Sequence, residues 1–560
     1  MQSFIQSNNK IKGSIIFATN LGFDFLGLFG DDYKLMSKFH YIIKGSNFVM
    51  IKHSKKNYSV SFYDTMNFMK ASVNTLGKIL KVPKLNKPEC IGKKVSMNSK
   101  DGKILQEYNL RDSKISFLFG KFLQSNFNKL GGNIKCTLAS TSMTIYRNNY
   151  LKFWIEQPPK EVLTEQNKGF YGGRVEAFYR GKIPKDKYTL YDINSLYPYI
   201  MNKKNYPNPN TLKIGVNLEK EGLTYCKIET PKNLDIPLLP FRTPEKLLFP
   251  LGKFECYQSN VEIRKAIELG YKIETIKGFY YESVFNPFSN FITNHYNIRM
   301  KYKKEKSPIE IIPKIIMNSL FGKFNQKLQY QELYFMDNQK NKDLITKYCE
   351  INTERENKGL PLKYILDSPD NRIVKRKGIY YHEPRIYYVV DNEIIEYPKF
   401  INPILALYTT SYARLELYSW IEKILKQNKK VLYCDTDSLI TNANLQTSNK
   451  LGEMKNEIDI HNGLIIKPKF YYLEDKNKKK TLVKTKGMHN LKTFEQFDKV
   501  LDTKKFEYVK FTKFREALRR NLSFNEKIDV SKIIDLEDNK RLWKEKFNKK
   551  KFQKSEPLKI

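Results

Sequence analysis

Long apolar runs are missing from this 560-residue chain. No stretch approaches the roughly 18 consecutive apolar residues that a spanning helix needs, so no membrane segment is expected. The opening residues, Met1 to Lys10, lack the apolar core of a secretion signal and the arginine-rich character of an import peptide. Cysteine is sparse: Cys90, Cys136, Cys226, Cys256, Cys349 and Cys434 are scattered without a Cys-x-x-Cys pair. That pattern excludes a zinc ribbon or a disulfide framework and fits a reducing compartment. The six histidines form no metal-spaced cluster. Acidic residues are short too, 59 against 99 basic ones, and residues 1–23 contain no Asp or Glu. AT-rich coding inflates Lys, Asn, Ile, Tyr and Phe together and explains part of the excess. It does not remove the field of a +40 chain, which draws polyanions and favours nucleic-acid binding.

Three segments carry chemistry: Tyr191-Asp-Ile-Asn-Ser-Leu-Tyr-Pro198, Lys314-Ile-Ile-Met-Asn-Ser-Leu-Phe-Gly322 and Tyr433-Cys-Asp-Thr-Asp-Ser438. The first and third each put a carboxylate at the end of an apolar, strand-like run. Asp435 and Asp437 follow Val431 to Cys434, and period-two geometry would point both to one side of a hairpin. Lys314, Asn318 and Phe321 fall at i, i+4 and i+7, one stripe of a helix that Pro313 would start or kink and Gly322 would end. Carboxylates can hold two magnesium ions and a lysine can hold a triphosphate, which together can transfer a nucleotide to a primer end.

In this order the three segments resemble the polymerase motifs of family B DNA polymerases, and most of all the protein-primed branch of phages and organellar linear plasmids. The resemblance implies an α+β multidomain chain, a right-hand polymerase of palm, fingers and thumb behind a truncated RNase H-like 3′–5′ exonuclease-type domain. It assigns catalysis to Asp192, Asp435 and Asp437, with Asp192 and Asp437 ligating two Mg2+ that Mn2+ can replace. The dNTP site would comprise Ser195, Leu196, Tyr197, Arg299, Lys314, Asn318 and Phe321. Tyr197 would pack under the sugar and exclude a 2′-hydroxyl. Phe321 stands where the family usually has Tyr, so stacking survives and a hydroxyl contact is lost. Thr75, Leu76, Tyr171, Gly172, Gly173, Lys484 and Lys486 are the expected DNA contacts, although Lys484-Thr-Lys486-Gly487 lacks the tyrosine of the family's Lys-x-Tyr motif. Arg414 is expected to be structural.

Asn20, Asp24, Tyr108 and Asp112 resemble residues of two exonuclease motifs, with Tyr108 beginning a helix. The Asp-x-Glu pair of the first motif has no candidate upstream, so these residues read as a remnant without exonuclease activity. An earlier start of the protein, or a separate chain, remains the alternative. The expected organisation is an exonuclease-like domain over 1–135, a connector with Tyr171-x-Gly-Gly over 136–175, palm over 176–284 and fingers over 285–327. An insertion over 328–400, palm again over 401–495 and a basic thumb over 496–560 complete it. Ser259-Asn-Val-Glu262 reads as a capping box opening a scaffold helix. The partners implied are a DNA primer-template and dNTPs, with a terminal protein primer left open and no membrane. The resemblance implies a mitochondrial location, or a plastid or virus. The competing readings are a decayed, non-catalytic DNA-binding remnant, and a reverse transcriptase, whose Tyr-x-Asp-Asp is absent.

Overall fold

The computed structural model describes residues 13–560 apart from positions 31, 45–46, 56–57, 92, 186, 327–330, 371, 377–378, 394–396, 478, 486–487, 489–490, 492 and 521. The expectation for Lys486 therefore lies outside the described residues.

The N-terminal unit is a four-stranded sheet in the order β1-β4-β3-β2, made of β1 (Ile15–Ala18), β2 (Phe39–Lys44), β3 (Asn47–Lys55) and β4 (Tyr58–Asp64). β1 joins β4 in parallel and is half-buried rather than buried, because it forms the edge. Helix α1 (Leu21–Phe29) lays Leu21, Phe25 and Phe29 on this sheet at i, i+4 and i+8. A short helix, α2 (Val73–Ile79), leads to the long α3 (Lys100–Lys129). The Ser99 hydroxyl caps α3 by accepting the Gly102 amide, so the helix begins eight residues before Tyr108, which lies inside it. Apolar spacing through Ile115, Phe119, Leu123 and Phe127 fixes its buried face.

The stretch read as a connector contains α4 (Leu138–Asn149). It belongs with the fingers: Ser142 and Ser319 share a hydroxyl hydrogen bond of 2.9 Å, and Lys323 donates to Ser140 at 3.0 Å. The fingers proper are α7 (Ser289–Lys304) and α8 (Ile311–Lys323), numbered after the palm helices α5 (Leu196–Lys203) and α6 (Asn260–Glu268). α8 starts two residues before Pro313 and runs past Gly322. Proline is tolerated there because the first helical turn has no intrahelical amide bond to lose.

Two five-stranded sheets form the palm. The first runs β16-β7-β15-β14-β5, from β5 (Val175–Ala177), β7 (Tyr188–Ile193), β14 (Val431–Asp435), β15 (Ser438–Thr441) and β16 (Met454–Ile460). The second runs β19-β18-β17-β6-β22, from β6 (Tyr179–Lys182), β17 (Asn462–Lys467), β18 (Phe470–Glu474), β19 (Thr481–Thr485) and β22 (Gln553–Lys554). The excursion over 205–285 holds β8 (Gly222–Glu229), β9 (Lys253–Ser259) and β10 (Lys272–Tyr281), with α6 against them. The last residues, expected as thumb, pack back onto the second sheet and the excursion. β22 pairs with β6, and Leu251 exchanges backbone hydrogen bonds with Leu558 and Ile560.

The insertion's β11 (Gln331–Phe335), β12 (Tyr364–Asp367) and β13 (Ile386–Asp391) make a three-stranded sheet. The thumb presents the hairpin β20 (Lys505–Phe511) and β21 (Lys527–Ile533), joined by α10 (Phe514–Arg520). One apolar core unites three parts of the chain: Phe25, Phe39 and Phe62 of the N-terminal sheet, Phe335 and Tyr388 of the insertion, and Phe514 of the thumb. Arg515 stacks its guanidinium 4.0 Å over the Tyr388 ring and pairs with Asp367 at 3.1 Å.

The palm helix α9 (Pro403–Lys426) carries Arg414 into the interior. Arg414 donates to both oxygens of Glu262 at 2.8 Å, and its Nη1 donates to the carbonyls of Tyr171 and Gly172. Ser259 does not cap α6; its hydroxyl donates to Glu262 instead, completing the acid's partners. Both side chains of the pair are about as buried as any in the chain, at 2% and 1% exposure. Arg414→Met should therefore destabilise the fold by about 3–5 kcal/mol, by stranding a buried carboxylate, and the Glu262→Gln, Arg414→Met double variant should recover part of it. Denaturant unfolding decides; a single variant that unfolds at the parent midpoint removes this ion pair as a constraint.

Candidate active site

Asp192 is the penultimate residue of β7, and its Cα partner across the ladder is Ser438, the residue after Asp437. The chain reverses between β14 and β15 through Thr436 and Asp437. Thr436 takes a left-handed φ of 61°, and the Asp437 amide bonds back to the Asp435 carbonyl at 2.7 Å. Asp435 thus ends β14 and Asp437 lies in the turn that follows. Two outside bonds hold the turn: Thr436 donates its amide to the Arg174 carbonyl at 2.7 Å, and Ile193 donates to the Asp437 carbonyl at 2.6 Å. Gly173 allows the first, since a Cβ there would lie 2.7 Å from Thr436 Oγ1.

Facing the acids, α8 sends Lys314 and Asn318 into a cavity of about 320 Å³ that Asp192 and Asp437 also line. Arg299 of α7 reaches the same cavity and donates to Ser195 Oγ at 3.3 Å, while pairing with Glu310. Ser195 adopts φ 52° at the start of α5. Tyr197 packs its ring against Phe321 with centroids 4.5 Å apart, so the two aromatics form one wall. Leu196 lines the same cavity, although as a residue it is nearly fully buried.

The electrostatics are those of acids held out of water. Burial, then Asp437 and Glu457, push the Asp192 carboxyl up to about 7, against the pull of Lys455 and Lys314. Asp437 is pushed up to about 6, by burial and by Asp435. Asp435 instead meets Lys469, whose Nζ lies 3.3 Å from Oδ1. Among the described residues no three His, Cys, Asp or Glu side chains converge as a ready metal cage. The Asp192 and Asp437 carboxylates are hard oxygen donors that repel each other, and a divalent cation between them would remove that repulsion while keeping its water and phosphate ligands. The donor set fits magnesium.

Residues 113–385 match the family described as DNA polymerase type B, organellar and viral. That match spans just under half of the chain. A probable DNA polymerase of Podospora anserina is 27% identical over 417 residues, covering 70% of this chain and 33% of that protein. The DNA-directed DNA polymerase of Enterobacteria phage PRD1 is 26% identical over 315 residues, 55% of this chain and 48% of the phage protein. The match thus takes in only about a third of the Podospora relative. Phi29 DNA polymerase, solved with primer-template DNA and incoming nucleotides, superposes with a TM-score of 0.67 at 16% identity, over 96% of this chain and 93% of that one. The fold is that of a right-hand type B polymerase.

Other expected contacts fare differently. Leu76 and Tyr171 are buried, at 0% and 3% exposure, so neither ring nor aliphatic side chain is presented to DNA; Thr75 is exposed beside them. Gly173 lies against Thr436 of the acidic turn, while the Gly172 carbonyl accepts from Arg414. Lys484 is exposed on β19, across from Tyr471, and its charge acts on Asp437. The lysine in contact with an acid is Lys469, which sequence reasoning missed. Its signal was available: Lys469-Phe470-Tyr471 has the Lys-x-Tyr spacing that Lys484-Thr-Lys486 lacks. Lys455 and Glu457, also missed, line the cavity from β16.

In the N-terminal unit Asp24 is pushed up to about 6 by burial and by the charges of Asp64 and Asp112. Asp64 is the acid that sequence reasoning overlooked at the end of β4. It accepts the amides of Asn20, Leu21 and Met66 at 2.9–3.1 Å, a capping role. Asp112 pairs with Lys84, which lies 4.4 Å over the Tyr108 ring. Two of the three acids are thus already engaged by the protein. Labelled single-stranded DNA incubated with magnesium or manganese and no dNTPs should keep its 3′ end. Stepwise shortening that Asp24→Ala abolishes would contradict this.

Proposed function

We propose that the chain is a DNA-directed DNA polymerase that adds dNTPs to a primer 3′-hydroxyl. The observation that carries this is the convergence of Asp192 and Asp437 with Lys314, Asn318 and Arg299 around one cavity. Lys314 and Arg299 supply the positive charge that a triphosphate requires, from one side of the cavity. The Tyr197–Phe321 wall supports the sugar and the nascent base pair, and the bulk of Tyr197 excludes a 2′-hydroxyl. Lys469, beside Asp435, steadies the primer end. Asp192 and Asp437 would hold Mg2+, or Mn2+ in its place. Divalent cations bound there would acidify the attacking hydroxyl and stabilise the pyrophosphate leaving group. The buried, mutually repelling acids support that assignment.

The substrates of this reading are a primer-template and dNTPs. A terminal-protein hydroxyl is the second class of primer the chemistry admits. An organellar, plasmid or viral setting, with the mitochondrion first, is supported by the family description and by the fungal relatives. A decayed DNA-binding remnant is the less economical reading, because a remnant has no need to keep two half-buried carboxylates opposite a lysine and an arginine.

Primer extension with labelled dNTPs and magnesium tests the proposal. Asp192→Asn and Asp437→Asn should each lose about 100-fold or more of nucleotide transfer while binding primer-template as the parent does, and EDTA should stop the parent. Comparable extension by both variants would remove the two acids from catalysis. Tyr197→Val should lower the preference for dNTPs over NTPs by about 10-fold or more, since the bulk under the sugar is gone. An unchanged ratio of incorporation rates would mean that another residue is the gate.

A further inference from the structure

The strand next to the acidic turn is short and exposed to displacement. β5 spans Val175–Ala177, pairs only with β14, and forms the edge of its sheet. Yet its neighbour Arg174 supplies the carbonyl that holds the Thr436 amide, and Gly173 makes the close approach to the Thr436 side chain. A turn with a non-glycine residue at positive φ persists only where its surroundings over-determine it. A three-residue edge strand cannot do so alone.

Beside the Ile193 amide on the Asp437 carbonyl and Arg414 on the carbonyls of Tyr171 and Gly172, further restraint comes from the far end of the chain. Lys540 Nζ donates to the Val175 carbonyl at 3.1 Å, and Ser555 donates its amide to the Phe178 carbonyl at 2.9 Å and its hydroxyl to Ala177 at 3.4 Å. Arg541 Nη1 lies 3.4 Å from Glu176 Oε1, and Arg174 Nε donates to Glu176 Oε2 at 2.7 Å. The three side chains are 1–2% exposed. Arg541 is itself fixed by Ser555 Oγ at 2.7 Å and by the Asp235 carbonyl at 2.7 Å, and Arg174 by the Pro237 carbonyl at 2.7 Å. A buried Arg–Glu–Arg triad is poor value as a source of stability, since well-packed apolar residues often do as well. What it supplies is a fixed position for the backbone that carries it.

We propose that Glu176, clamped between Arg174 and Arg541, is a positioning residue for the Asp435-Thr436-Asp437 turn, so that the segment around Arg541 and Ser555 is a working part of the nucleotide-transfer site. This rests on the polymerase reading for its kinetic consequence but not for its structural one. Displacing β5 moves the Arg174 carbonyl, frees the Thr436 amide and lets Asp437 drift from Asp192, with no change to the side chains that face DNA or triphosphate.

The test compares the parent with Arg541→Met, Arg541→Lys, Glu176→Gln and Ser555→Ala by two measurements. One is single-turnover dNTP incorporation with a magnesium titration. The other is amide hydrogen exchange over residues 431–438, with α9 as the internal reference. Arg541→Met should lower the maximal rate about tenfold, with dNTP half-saturation and primer-template affinity within about twofold, because misplacement of reacting groups costs rate rather than binding. It should also raise the magnesium needed for half-maximal rate, and exchange at the turn should quicken while α9 is unchanged. Arg541→Lys, which keeps the charge and loses the fork, should recover part of both effects. Ser555→Ala is the mild variant and should show both in the same direction if Arg541→Met does not fold. Parent-like rates and parent-like exchange at 431–438 in folded Arg541→Lys and Ser555→Ala would overturn the proposal. A parent that extends no primer would overturn the polymerase reading alone, and the exchange data would still decide the role of Glu176.

Discussion

Two carboxylates that repel each other, half-buried on one strand and in the turn that leads into its neighbour, are the constraint around which this palm is built. Asp192 and Asp437 are each pushed toward neutral pH by burial and by neighbouring acids. Left to itself such a pair would swing apart or take up protons. The backbone denies the first course. β7 and β15 are laddered together, the Ile193 amide grips the Asp437 carbonyl, and the turn between the acids is pinned from β5. Lys314 and Lys455 oppose the second by favouring the charged form of Asp192. On the proposed reading, the outcome is a site pre-arranged for a cation and a polyphosphate. The reorganisation that nucleotide transfer would otherwise demand is met when the chain folds.

The structure also explains why the paired glycines matter. Tyr171-Gly172-Gly173-Arg174 suggests close approach to DNA, and glycine does serve close approach here. The neighbour is the acidic turn, and the stretch is held by Arg414 on one side and by the Arg174–Glu176–Arg541 triad on the other. Sequence alone shows that a backbone must come near something at these positions. It does not show what, because the partner is 262 residues away at Thr436 and the supporting arginine still farther, at Arg541.

Legibility followed the range of the interactions. Strand ends at Asp192 and Asp435 and the Lys314–Asn318 helix face were readable, because each is a local pattern of period two or 3.6. The order of the three motifs then pointed to the right-hand fold. Misreadings arose where a local pattern has two solutions. Ser259 and Glu262 have the spacing of a capping box, but Arg414 draws Glu262 into an ion pair and the serine follows it. Leu76 was taken for a DNA contact from its motif, yet it is the buried position of a short amphipathic helix. Asp64 was passed over, since only the three-dimensional fold brings the Asn20 and Leu21 amides onto it. The return of residues 553–560 to the palm had no signal at all, because two-residue pairings leave no periodicity to read.

Scarcity of acid gives these placements a common logic. In a chain with 99 basic and 59 acidic residues, a carboxylate on a DNA-facing surface would weaken the field that attracts DNA. Inside the protein the same group has two uses that lysine cannot fill. It can hold an arginine in a fixed place, as Glu176 and Glu262 do, or it can remain partly unsatisfied and await a cation, as Asp192 and Asp437 do. The N-terminal unit shows the first use extended to a region with the look of the second. There Asp64 caps a helix and Asp112 holds Lys84, while the apolar faces of the sheet pack with the insertion and the thumb into one core. Such a unit keeps its place in the fold through packing, whatever becomes of its acids, because hydrophobic burial does not depend on how those side chains titrate.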